Sequence, residues 1–279
     1  MTTTSSDGAR PRFPLSVRCA LVVVALLVAE VGGALTALPF GGASDGTRLI
    51  VSSAGVAVIA FGLAVVLVRV VDRRPVAALG LRAGRSGRRW AAVGLVVVAV
   101  AVAGATGPAA LLGFTEPRSA GAGWSPETVL PLALVQAFVL QAFPEELLFR
   151  GYLVSTATGR LGVRGVFLLS TLLFAALHIV SGSDATTFTE RLLFLLIPLG
   201  FGALATVLRL ASGSLWPAVA VHGGFHTSVY VLGGWVSPTP DSYAIFGATL
   251  LAAAAGVAGW RRVRAPRSPA PRVYAAAGR

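Results

Sequence analysis

Apolar runs long enough to cross a bilayer recur along most of this chain, and they decide what it can fold into. A helix needs roughly 20 apolar residues to span the hydrocarbon core, where every backbone polar group must be satisfied internally. Eight stretches qualify or come close: about 17–38, 49–70, 90–106, 129–157, 165–180, 191–208, 215–235 and 244–260. The expected fold is an all-α polytopic membrane protein with about eight transmembrane helices spread over residues 14–260. Residues 1–13 and 261–279, rich in Arg, Pro, Ser and Ala, read as disordered tails.

Charge placement orients the spans. Only 12% of the residues are charged, against about 25% in a soluble domain. All 23 basic residues are arginines, and they fall between apolar runs rather than along one face of a soluble fold. A net charge of +12 therefore points to the lipid bilayer as partner and not to nucleic acid. With the N-terminus inside, 19 arginines lie on cytoplasmic segments and three (Arg48, Arg118 and Arg191) lie outside. Arg150 falls within a span. Both termini are expected in the cytoplasm, and the Arg, Ala, Gly and Val load suits a GC-rich bacterial genome, hence a bacterial cell membrane. A signal peptide fits the first run less well, because that run is long and lacks a clean A-x-A site. Val76–Arg89 reads either as a short interfacial helix or as a plain basic loop. The lone Cys19 excludes an internal disulfide.

Ionisable side chains inside a bilayer cost a few kcal/mol or more each unless paired or hydrated, so they mark sites. The stretch FPEELLFRGYL, Phe143–Leu153, carries three of them. The chain has three histidines, all in apolar runs: His178, His222 and His226. Glu146 and Arg150 stand four apart with the acid first, the favourable order for an ion pair on one helical face. Glu145 is rotated about 100° from its neighbour and is left free. Pro144 removes one helical bond and opens the turn behind it. Phe174 sits one turn before His178, so its ring can pack beneath the imidazole, and His222 and His226 repeat that spacing. Counted at 1.5 Å per residue from the nearest cytoplasmic arginine, Glu145, His178, His222 and His226 lie at roughly 22, 21, 20 and 26 Å. Helices four, five and seven thus bring them to one level. Glu30, a carboxylate in the first run, has no partner that the sequence names.

A carboxylate and an imidazole facing a water can remove its proton and direct it at a carbonyl. Further N–H donors can stabilise the tetrahedral oxyanion, worth about 3–4 kcal/mol in a dry site. That set makes a hydrolase with no covalent nucleophile and no cofactor. No G-x-S-x-G occurs, and no cysteine accompanies the histidines. A zinc metalloprotease is the rival: three histidines and a glutamate could bind Zn²⁺. Yet HGGFH lacks the glutamate of H-E-x-x-H, and using all four groups would close the open position catalysis needs, so no metal is expected.

EELLFR fits E-E-x-x-x-R, FAALH fits F-x-x-x-H, and SLWPAVAVHGGFH fits a third motif, in an order and spacing that resemble the CPBP family. These are the intramembrane glutamic endopeptidases that include CAAX proteases and bacteriocin-processing (ABI) proteins. The resemblance covers about residues 128–235 and implies a metal-independent peptidase acting on a membrane-associated or lipidated peptide or protein. By motif match, Glu145 and His178 would activate water, His222 and His226 would form the oxyanion hole, and Glu146, Arg150 and Phe174 would support them. The last position is usually Asn or Asp in the family; His226 stands there instead. A neutral histidine can donate one N–H, but its charge changes near neutral pH, so the departure leaves two expectations: a pH-sensitive oxyanion hole, or a member that has lost hydrolysis. The latter opens a second class, a non-catalytic membrane protein in bacteriocin immunity or scaffolding. A proton-coupled transporter fits poorly, since the polar residues cluster in one half of the chain.

Overall fold

The computed structural model describes residues 13–117, 126–233 and 236–264. The tails expected at 1–13 and 261–279 lie outside it, apart from Phe13 and the helical residues up to Arg264, as does Arg118. Among the described residues there are eight long helices: α1 (Leu15–Phe40), α2 (Asp45–Val71), α3 (Arg85–Leu111), α4 (Leu130–Ala157), α5 (Val163–Val180), α6 (Phe188–Ser212), α7 (Trp216–Gly233) and α8 (Pro240–Trp260). All but α7 are long and apolar enough to cross a membrane by length and composition. α7 falls short on hydropathy because His222, His226, Thr227 and Ser228 replace hydrocarbon within its 18 residues. The fold is an all-α polytopic one; among the described residues, a single short antiparallel pairing of β1 (Thr115–Pro117) with β2 (Val236–Pro238) joins the loops that follow α3 and α7.

Several helices outrun their apolar stretches, because Arg and small polar residues extend a turn beyond the hydrocarbon. α3 begins at Arg85 rather than 90 and ends at Leu111 rather than 106. The Val76–Arg89 segment is neither an interfacial helix nor a plain loop. Val76–Leu79 forms one tight 3₁₀ turn, Gly80 takes φ +77°, and Arg85 already opens α3. Leu79 is fully buried, and the segment is strapped to the start of α7: Leu215 N–H donates to Gly80 O at 2.8 Å and the Trp216 indole to Leu81 O at 2.7 Å.

α4 forms the centre. It packs against α1 and α2 on one flank and α7 on another, while α6 contacts α5, α7 and α8. Around FPEE the helix widens instead of breaking. Phe143 N–H reaches back five residues to Phe138 O, and Val154 N–H likewise to Phe149 O. Such wide turns accommodate Pro144 and shift the phase of the side chains that follow. The C-terminal end of α4 is anchored by a buried ion pair: Arg18 Nε lies 2.6 Å from Asp72 Oδ1, with the Tyr152 hydroxyl at 3.4 Å.

The glycines of HGGFH explain why α7 can wedge into the bundle. A Cβ on Gly223 would stand 2.4 Å from the Phe138 ring of α4, and one on Gly224 would meet Val98 and Leu95 of α3 at 2.9 and 3.0 Å. Small residues at such crossings let backbones approach closely. Gly223→Val is therefore expected to force α4 and α7 apart, at a cost of about 1–3 kcal/mol as for other overpacked cores. Thermal unfolding in detergent should show the lowered midpoint, whereas Gly104→Val, in open space, should leave it unmoved.

Candidate active site

One carboxylate oxygen organises the polar centre. Glu146 Oε1 accepts from Arg150 Nη1 at 2.9 Å along α4 and from His222 Nδ1 at 2.9 Å across to α7. Glu146 and Arg150 have no exposed surface, and His222 is 1% exposed. The ion pair drawn from the i, i+4 spacing is present, and the same oxygen also holds one of the histidines.

Arg150 is caged on every side. Its Nη2 donates to Gly202 O at 2.9 Å and its Nε to Thr206 Oγ1 at 3.3 Å, both on α6. The guanidinium carbon lies 4.2 Å from the centroid of the Phe174 ring, a cation–π contact in a dry setting. Gly202 is required by this approach, since a Cβ there would stand 2.9 Å from Nη2.

The three imidazoles converge on the same aromatic cluster. Phe174 packs 4.7 Å from His178 and 5.8 Å from His222 between ring centroids. Phe201 of α6 sits 4.8 Å from His222, 6.4 Å from His178 and 6.3 Å from His226. His222 and His226 are 5.1 Å apart. His178 Nδ1 is 2.9 Å from Phe174 O; a carbonyl can only accept, so Nδ1 carries the proton and a neutral His178 presents Nε2 as a lone pair. His178 and His226 are partly accessible.

Glu145 is half-buried and makes no hydrogen bond with any described residue. It is close enough to Glu30 of α1 for their charges to interact, and α1 packs on the Phe143–Glu146 turn. Glu30 is itself half-buried. Among the described residues no three His, Cys, Asp or Glu side chains are grouped to hold a metal ion.

Sequence reasoning missed α6. Phe201, Gly202 and Thr206 line the site, yet nothing ionisable stands between Arg191 and Arg209. The only hints were a threonine and two glycines, Gly200 and Gly202, in an otherwise apolar stretch.

Comparison with known families places this geometry. Residues 127–228 match the Rce1-like family, described as type II CAAX prenyl endopeptidase Rce1-like. That segment is Rce1-like. The match spans the three motifs and nearly the same residues as the resemblance read from them, so the resemblance holds. The Rce1-like family is one of CAAX prenyl endopeptidases, which are hydrolases, and the chain, with its apolar helices, is an integral membrane protein. Comparison with curated proteins finds no match.

Removing one partner of a buried pair strands the other charge, at about 3–5 kcal/mol. Glu146→Gln is therefore expected to lower stability by that amount. Glu146→Gln combined with Arg150→Met should recover part of the loss, giving a clear coupling term in a double-mutant cycle read from chemical unfolding in detergent.

Proposed function

We propose that this chain is an intramembrane glutamate-dependent endopeptidase that hydrolyses a peptide bond in a membrane-associated or lipidated peptide or protein. The observation that carries the reading is the convergence of Glu146–Arg150, His178, His222 and His226 within the Rce1-like segment. In the proposed reaction a water donates hydrogen bonds to Glu145 and to His178 Nε2, and Glu145 takes one of its protons as the water oxygen attacks the scissile carbonyl carbon. Nε2 of His178 is available for this because Nδ1–H is engaged at Phe174 O. The carbonyl oxygen becomes an oxyanion, held by N–H donors that include His226. As the C–N bond breaks, the proton taken up by Glu145 passes to the leaving amine. The reaction needs no covalent intermediate.

Glu146 and Arg150 serve the site from behind. Their mutual neutralisation keeps a charged pair in the bundle at tolerable cost, and Glu146 fixes the orientation of the His222 ring. The apolar surroundings suit a substrate whose own lipid or membrane segment lies alongside the helices, in keeping with the family's description.

Peptides in membranes from cells carrying the intact protein, compared with those from Glu145→Gln cells, test this directly. Terminal peptides that vanish in the variant are expected and name both substrate and bond; identical profiles would end the hydrolytic reading. On the purified full chain, cleavage of such a peptide should survive a strong chelator, and loss restored by Zn²⁺ would favour a metalloprotease. His226→Asn, which keeps a side-chain N–H donor, should retain cleavage. Loss of cleavage there would remove His226 from the proposed role.

A further inference from the structure

The allocation of ring protons leaves the site one donor short. An oxyanion hole is effective with two donors aimed at one oxygen, and a neutral imidazole has a single N–H. At His178 that N–H is engaged by Phe174 O, 2.9 Å away. At His222, Nδ1 faces Glu146 Oε1 at 2.9 Å; a carboxylate oxygen already bonded to a guanidinium is an acceptor, so Nδ1–H donates to it. A neutral His222 therefore turns its Nε2 lone pair outward and cannot donate to an oxyanion. His226 alone keeps its N–H unengaged.

Nearby donors are nearly all occupied. Each nitrogen of Arg150 has a partner. The Thr206 hydroxyl donates to Gly202 O at 2.8 Å, and that of Thr227 to Gly223 O at 2.8 Å. Two side-chain donors without a hydrogen bond to a described residue are the Gln141 amide of α4 and the hydroxyl of Tyr230, and of these Tyr230 continues the stripe of His222 and His226 by one more turn of α7. Its ring is stacked against His226, with centroids 6.3 Å apart and planes 29° apart. It is half-buried, and its hydroxyl makes no hydrogen bond to any described residue.

We propose that Tyr230 is a further catalytic residue, whose hydroxyl joins the His226 N–H in binding the oxyanion. This rests on the hydrolytic reading and deepens it. The stack holds the phenol ring beside the imidazole before substrate arrives. No proton changes owner in this role; the hydroxyl donates a hydrogen bond that strengthens as the carbonyl oxygen gains charge.

The test places Tyr230→Phe beside intact protein and Glu145→Gln in the same membrane-peptide comparison. Peptides lost in both variants are expected. With a peptide so found, the purified full chain carrying Tyr230→Phe should show kcat reduced about 100-fold or more with KM within about twofold, and an unchanged unfolding midpoint because the ring stack remains. Peptides lost in Glu145→Gln but retained at full rate in Tyr230→Phe overturn the role of Tyr230 and leave the hydrolytic reading standing. Profiles unchanged in Glu145→Gln overturn both. Where Tyr230→Phe lowers the midpoint, 3,5-difluorotyrosine at position 230 keeps the shape and changes only the acidity of the hydroxyl. A changed kcat at fixed KM supports the assignment, and an unchanged kcat overturns it.

Discussion

A single acceptor, Glu146 Oε1, ties α4 to α7 inside the helical bundle and, through Arg150, to α6. It takes hydrogen bonds from Arg150 on its own helix and from His222 on α7, and Arg150 in turn reaches Gly202 and Thr206 on α6. Oε1 is thus bonded twice, while Oε2 has no partner among the described residues. A buried charge is tolerable only with its counter-charge in contact. The guanidinium meets that demand with a fork of donors and a flat face against Phe174. A lysine could not do so, since its ammonium is a point charge without the planar fork. The positions of α6 and α7 relative to α4 follow from where that fork points.

Close approach of the backbones is the second condition, and glycine meets it. Gly202 lets Arg150 lie against the α6 backbone, and Gly223 lets α7 settle onto Phe138 of α4. In lipid, helices gain little from hiding hydrocarbon from hydrocarbon, so small residues and internal hydrogen bonds set which faces meet. The wide turns of α4 on either side of FPEE belong to the same arrangement. They absorb Pro144 and alter the angular phase between Gln141, Glu145 and the residues beyond.

Much of this was legible in the sequence, for reasons that differ between its parts. Run length gave the helices, because the bilayer imposes one thickness on all of them. The pairing of Glu146 with Arg150 and the stacking of Phe174 beneath His178 were readable because both lie one turn apart within a helix. Contacts between helices were not readable. That His222 is held by Glu146, or that Glu30 of α1 faces Glu145, depends on rotations set by glycine crossings and wide turns, which a regular 100° step misses. The role of α6 was invisible because it contributes a carbonyl, a hydroxyl and a phenyl ring, none of which stands out in an apolar run. The Val76–Arg89 segment was misread for a related reason: its arginines suggested a surface, whereas Leu79 is fully buried and the chain is bonded to the start of α7.

The two adjacent glutamates end up in opposite situations, and that contrast bears on chemistry. Glu146 is paired with Arg150 and bonded twice at Oε1, and it is sealed from solvent with Oε2 unpartnered among the described residues. Glu145 has no cation in contact and no hydrogen bond among the described residues, is only half-buried, and has a second carboxylate, Glu30, within electrostatic range. A carboxylate so placed has oxygens without another partner to accept a water's proton, which is what a general base must do. One residue thus stabilises the architecture and its neighbour is left unstabilised, and the 100° between them on the helix is what allows a single turn to hold both.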